Sequence, residues 1–243
     1  MRLHSTTLGS GPLHIGLVHG LGAESSTWQP LIERMLASGR CTITSLDLRG
    51  HGKSERAKSY SLSEFADDVV ENLPKGLHAV VGHSLGGAVL VRAVDRLQPH
   101  HAIYLDPGFE LSLPTAGAAG RAFWAVPALT LGVVGALQAR RSSKQRAAYP
   151  PAVQKSLRRG KSQFDAKMAI GVFKEVAFNP VTLGPPAVPS TIVLSEESPA
   201  ILSDRTAAAL EQQGWEIRRF PGVHHDMHLE DPERTFEIID ELL

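Results

Sequence analysis

Cysteine is nearly absent from this chain of 243 residues: Cys41 stands alone, which excludes an internal disulfide and leaves no thiolate cluster for a metal. It lies in an apolar run and reads as buried filler. A surplus of charge is missing as well. Lys plus Arg and Asp plus Glu stand at 25 each, so the whole chain carries no net field to draw it onto nucleic acid or an anionic membrane, and a small or neutral ligand fits better. Long hydrophobic runs are also lacking. The longest apolar stretch, Phe123 to Leu137, is too short to span a bilayer and is interrupted by Pro127, Gly132 and Gly135. Arg2 is followed by polar His4, Ser5, Thr6 and Thr7 instead of the apolar core of a signal peptide, so a cytoplasmic location is the expectation. No internal repeat is present.

Apolar residues make up 42% and charged residues 21%, the balance of a chain that folds by itself, and the length suits one large α/β domain. Short apolar runs at His14 to His19, Cys41 to Asp47, His78 to Gly82, His101 to Asp106, Thr191 to Ser195 and Trp215 to Phe220 read as strands. The inner ones are apolar almost throughout, as strands buried on both faces are. The first eight residues are expected to add an edge strand. Helices are expected at Trp28 to Ser38, Gly86 to Leu97, Ser203 to Gln213 and Pro232 to Leu243. Leu62, Phe65, Ala66, Val69, Val70 and Leu73 recur at helical spacing, behind a capping box of Ser61 and Glu64. The alternation stops between about Pro107 and Pro189, a stretch with no clear strand. Residues 1–106 and 190–243 are thus expected to form the core, and residues 107–189 a helical cap over the carboxyl ends of the strands, where open α/β sheets bind ligands.

Three segments carry chemistry. Gly82-His83-Ser84-Leu85-Gly86-Gly87 sits between an apolar strand and a helical segment, the context of a Gly-x-Ser-x-Gly nucleophile elbow. The sharp turn lifts Ser84 clear of the sheet and requires small residues two positions to either side, here Gly82 and Gly86. It also places Ser84 at a helix N-terminus, where amide N–H groups favour negative charge. His19-Gly20-Leu21-Gly22 follows the first inner strand, so the amides of Leu21 and Leu85 are the candidates for an oxyanion hole. The loop from Pro221 to Pro232 follows the last strand and holds His224, His225 and His228. A general base must come from such a loop to reach a serine at the elbow. His225 has the position of the base in the Pro-Gly-x-x-His pattern, while His228 is expected to pack or hydrogen-bond beside Glu230 and Asp231, and His224 to be exposed. A zinc site on the three histidines lacks a carboxylate or thiolate partner in a matching frame.

Together these motifs resemble the α/β-hydrolase superfamily, specifically its small carboxylesterase, lipase and haloalkane-dehalogenase-like branch. The resemblance covers nearly the whole chain outside the insertion and implies a mostly parallel sheet flanked by helices. Asp47-Leu48-Arg49-Gly50-His51-Gly52-Lys53-Ser54 resembles a turn common there that is structural, so His51 receives no catalytic role. Dehalogenases of the branch carry aspartate at the elbow; Ser84 therefore disfavours halide release. The acid of the triad departs from the commonest pattern. Serine stands where an aspartate after the strand Thr191 to Ser195 would align, with Glu196 and Glu197 next to it. The dehalogenase-like relatives place an acid at the end of the preceding strand instead, where this chain has Asp106, and Asp106 is preferred over Glu197 and Glu196.

The implied activity is hydrolysis of a carboxylic ester through an acyl-enzyme on Ser84, with no metal or organic cofactor. Phe109, Leu111, Leu113, Phe123, Trp124 and the residues that follow make the insertion apolar, which suits a small, largely hydrophobic ester. Arg140, Arg141, Lys144 and Arg146 form a basic run that reads first as a solvated helix face and second as a contact for an anionic substrate. Thioester, lactone or C–C hydrolysis, perhydrolysis, a lyase, or a slowly turning receptor for a small molecule would use the same framework.

Overall fold

The computed structural model describes residues 1–110, 113–163, 165–179, 181–196 and 202–243, with the side chains of residues 138, 141 and 166 left aside. Seven strands, β1 (His4–Gly9), β2 (Leu13–Val18), β3 (Cys41–Asp47), β4 (Ala79–His83), β5 (His101–Leu105), β6 (Ser190–Ser195) and β7 (Glu216–Phe220), form one sheet in the order β1-β3-β2-β4-β5-β6-β7. Only β1 runs antiparallel, against β3. All other pairs are parallel.

Alternate residues of each strand point to opposite faces, and both faces are apolar. On one face Ile15, Leu17, Val81 and Ile103 meet Trp28, Leu31, Met35 and Ile239. These come from a short 3-10 turn (Ser25–Trp28), α1 (Gln29–Ala37) and, at the C-terminus, α11 (Pro232–Asp240). On the other face Val18, Val80, Ala102 and Tyr104 meet α2 (Leu62–Asn72), α3 (Leu85–Leu97) and α9 (Asp204–Glu211). The capping box of α2 is formed: Ser61 Oγ accepts from Glu64 N, and the Glu64 carboxylate accepts from Ser61 N at 2.9 Å. The strand expected from Cys41 to Asp47 is observed over those residues, and the other element ends lie within three residues of the expected ones. The helix expected from Pro232 to Leu243 ends at Asp240, and α3 begins one residue earlier, at Leu85, directly after the serine. A short helix that periodicity did not indicate, α10 (Met227–Glu230), follows His225.

Between β5 and β6 lie α4 (Gly117–Ala125), α5 (Pro127–Arg141), α6 (Ser143–Ala147), α7 (Pro151–Gln163) and α8 (Ala166–Phe178), with no strand among the described residues. Three of the polar clamps that fasten this insertion to the core involve its helices and their caps. Arg159 Nε donates to Oε1 of buried Glu24 at 2.6 Å, Tyr60 donates to Asp165 Oδ2 at 2.8 Å, and Arg146 donates to Asp226 Oδ2 from Nε at 3.1 Å and Nη2 at 2.9 Å.

Candidate active site

The turn from β4 into α3 carries backbone strain. Ser84 has φ 51° and ψ −115°, a conformation that costs on the order of 1–3 kcal/mol for a non-glycine residue and persists only where its surroundings enforce it. Close packing enforces it here. A Cβ on Gly86 would lie 2.1 Å from Val18 O, and one on Gly82 would lie 2.8 Å from Gly86 C. Ser84 N donates to Leu105 O at 3.1 Å, and Ser84 O accepts from Gly87 N and Gly108 N at 3.0 and 2.8 Å. The side chain is thus set by backbone bonds on both flanks, at the mouth of the sheet.

Asp106 directly follows β5 in a second strained conformation, φ 41°, with its side chain 1% exposed. Its Oδ2 accepts from His225 Nδ1 at 3.2 Å. It also accepts from Ser195 twice, N–H to Oδ1 at 2.9 Å and Oγ–H to Oδ2 at 2.6 Å. Ser195, which the sequence presents as a missing aspartate, is therefore the group that holds the aspartate of the neighbouring strand. Glu196 turns elsewhere and accepts from Gly222 N at 2.6 Å. Glu197 lies outside the described residues, as does Leu111.

The three histidines of the last loop part company. His224 pairs with Glu230, at 2.8 Å from both its backbone N and its Nδ1, and His225 meets Asp106. Of the two roles expected for His228, packing or hydrogen bonding, it takes the first. Its buried ring stacks 4.4 Å from Trp28 and 4.6 Å from His83, and its Nδ1 has no partner among the described residues. Burial outweighs the hydrogen bond because the first turn of α10 points residue 228 inward, while His224, before the turn, reaches Glu230. Rings aimed at three different partners do not converge on one ion.

Histidines that the sequence offered no role hold the site from behind. His83 donates Nε2–H to the carbonyl of His225 at 2.8 Å, with the two rings 4.6 Å apart, so the residue before the serine fixes the backbone of the loop histidine. Burial, and then the proximity of His225, push the His83 pKa down to about 4, which keeps the ring neutral and able to donate. Burial, and then His83, likewise hold His228 well below the usual histidine range. His51 donates Nδ1–H to Arg49 O at 3.0 Å and accepts from Gly22 N at 3.1 Å; burial, and then His19, push it down to about 3. His19, lowered by burial, bonds to Gly20 O and accepts from Leu48 N at 3.0 Å. The two neutral rings thereby fasten the His19-Gly20-Leu21-Gly22 loop to the turn after β3. Only the alternation of donor and acceptor around each ring reveals this, and sequence does not encode it.

Ser84, His225, Gly20 and Leu21 line one side of a cleft of about 870 Å³. The insertion supplies the other side, with Leu131, Leu157, Ile170 and Phe173 as apolar wall and Arg158 and Lys161 as cations. Arg146 belongs to this lining too, through its pair with Asp226, next to His225. The basic run is therefore divided: Arg140 and Lys144 are exposed as expected, Arg146 faces the cleft, and the side chain of Arg141 is not described. Burial pushes the Asp226 carboxyl up, but Arg146 and the surrounding histidines more than offset this and hold it below the usual carboxylate range.

Comparison with known proteins agrees with this fold. Residues 17–238 match the model of the alpha/beta hydrolase family. Among curated proteins, the chain is 37% identical over 91 residues to the pimeloyl-[acyl-carrier protein] methyl ester esterase of Proteus mirabilis, covering 37% of this chain and 34% of the relative. It is 38% identical over 105 residues to that of Vibrio vulnificus, covering 43% and 38%. The matched segments thus span little more than a third of these relatives. Among solved structures, a thermophilic esterase from Thermogutta terrifontis superposes with TM-score 0.74 at 20% identity, covering 98% of this chain and 92% of the esterase. A hydrolase from Oleispira antarctica superposes with TM-score 0.75 at 15% identity, covering 99% and 94%. At these identities the likeness is one of fold.

Proposed function

We propose, from the premise that this chain belongs to the alpha/beta hydrolase family, that it is a serine hydrolase cleaving a carboxylic ester through an acyl-enzyme on Ser84. The observation that carries the reading is the strained serine at the strand-to-helix turn, sharing a cleft with a histidine whose Nδ1 meets a buried carboxylate.

His225 takes the Ser84 proton as the hydroxyl attacks the ester carbonyl and then gives it to the departing alcohol. Asp106 accepts the hydrogen bond from His225 Nδ1–H, selects the tautomer that leaves Nε2 free as base, and stabilises the imidazolium that forms. Leu21 and Leu85 supply the oxyanion amides. Leu85 N opens α3, so it has no acceptor within the helix, and the loop amides after Leu21 are engaged, Gly22 N by His51 and Ala23 N by Gly20 O. Water then enters and, with His225 again as base, releases the acid. The insertion, residues 107–189, acts as the cap. Its apolar wall suits a small, largely hydrophobic ester, and Arg158 and Lys161 favour an anionic group at the far end of the acyl chain. The curated relatives act on a methyl ester carried by acyl-carrier protein, and an acyl methyl ester with a distal anionic group has the polarity of this cleft.

The test is hydrolysis of p-nitrophenyl esters of increasing acyl length by wild type and Ser84→Ala, with fluorophosphonate labelling of both. Turnover and labelling in wild type alone support the serine hydrolase. A wild type that neither labels nor turns over any ester refutes it.

A further inference from the structure

Helix α5 is built inside out. The side facing the cleft is mostly small, Ala128, Gly132, Gly135, Ala136 and Ala139 beside Leu131. Large side chains stand in water instead: Leu129 is 64% exposed, Leu137 53% and Val133 52%, with Val134 and the preceding Val126 exposed beside them. A helix packed for water turns its large apolar side chains inward. The face extends beyond α5, because the Trp124 ring of α4 lies 5.2 Å from the ring of Phe178 on α8, itself 45% exposed. The only polar side chain between Val126 and Leu137 is Thr130, whose hydroxyl is tied to Phe123 O at 2.9 Å.

The neutral total charge conceals a division that bears on this face. Residues 107–189 carry eleven Lys and Arg against three Asp and Glu, which leaves the rest of the chain with fourteen against twenty-two. Helical spacing sets exposed cations around the apolar face: Arg121 one turn before Trp124, Lys174 one turn before Phe178, Arg140 one turn after Leu137, with Lys144 beyond it. None of the four has an acidic partner among the described residues. Joined end to end, α4 and the first eleven residues of α5 are apolar enough for a bilayer, yet they meet at 95°, so they cannot cross one as a rod.

We infer that this face docks on an anionic lipid surface, α5 lying in the plane of the interface with its large side chains among the acyl chains and the four cations against headgroup phosphates. A fluid apolar phase asks for no directional hydrogen bonds, and the stripe offers none. A protein interface would carry about one hydrogen bond per 100–200 Å², for which this stripe has no groups. Because the opposite side of α5 is a wall of the cleft, docking brings lipid-dissolved esters to the mouth of the site. The docking itself does not depend on turnover.

The experiment is co-sedimentation of the full chain with vesicles of phosphatidylcholine alone or mixed with phosphatidylglycerol, at low and high salt, with tryptophan emission recorded. Wild type is expected on the mixed vesicles at low salt, with a blue shift that reports Trp124, since Trp28 and Trp215 are already buried. Leu129→Ser and Leu137→Ser should each lower partitioning about tenfold. Arg140→Gln and Lys144→Gln should each lower it about fivefold. All four variants should melt at the wild-type temperature, which shows that they fold. Three outcomes overturn the inference: wild type left in the supernatant at low salt, Ser variants that bind as well as wild type, or a concentration-dependent dimer that Leu129→Ser dissolves while vesicles leave it unmoved.

Discussion

The core side of the cleft and the insertion side face the same space with opposite materials. On the core side Ser84 and Asp106 directly follow strand ends and His225 sits in the loop after β7, each tied by backbone bonds or buried carboxylate contacts, with neutral histidines packed behind them. On the insertion side small and aliphatic side chains line the cleft, and the helices that bear them connect to the core through polar clamps. The core is acidic and the insertion basic. Chemistry needs atoms held to fractions of an ångström, which a sheet provides, whereas selection among acyl groups needs only volume and polarity.

Changes on the two sides should therefore separate kcat from KM. Asp106→Asn should lower kcat by about 10⁴ with little change in KM, because the amide cannot hold the tautomer that leaves Nε2 free as base. Leu157→Ala and Ile170→Ala, on the facing wall, should instead raise KM about tenfold and shift the preferred acyl length, with kcat within a few-fold. Steady-state kinetics on an ester series decides. Equal loss of kcat on both walls would end the division of labour.

Gly86→Ala tests the packing beneath the serine. Its Cβ would lie 2.1 Å from a strand carbonyl, and backbone cannot yield as a side chain tip can, so a loss of about 3 kcal/mol or more in urea unfolding is expected. Acid should act on the core side first. Burial holds His83 down to about 4 and His51 down to about 3 in the folded chain, against about 6.5 for an exposed histidine. The unfolded chain therefore binds more protons between these values, and stability falls as pH falls through that window. The unfolding free energy from urea titrations should be flat above about pH 6.5 and decline below it, by about 1 kcal/mol per pH unit for each such histidine, and His51→Gln should flatten the slope. The smallest effect is expected at the clamp. The Arg146 side chain is 43% exposed, so Arg146→Gln should cost about 1 kcal/mol or less, less still in high salt, read from thermal melts.

Much of this organisation is legible along the chain. The apolar runs mark the strands because a strand covered on both faces cannot alternate, and Gly82, Ser84 and Gly86 mark the turn because nothing larger fits two residues from a serine held at positive φ. Ser61 and Glu64 announce the start of α2 by local chemistry alone. The role of Ser195 is not legible, since its two bonds to Asp106 span 89 residues and depend on the parallel register of β5 with β6. The same holds for His83, whose partner is 142 residues away. For His228 the sequence left packing and hydrogen bonding both open, and only the turn of α10, which carries the ring into the core beside Trp28, selects packing.

By itself the sequence determined the order of strands and helices, the glycine frame around Ser84 and the basic insertion in an otherwise acidic chain, all of which follow from local sterics, periodicity and composition. Tertiary structure alone decided which carboxylate meets His225, which histidines stay neutral, and which side of α5 faces water. Those outcomes turn on distances between residues far apart in the chain and on burial, neither of which exists until the sheet has assembled.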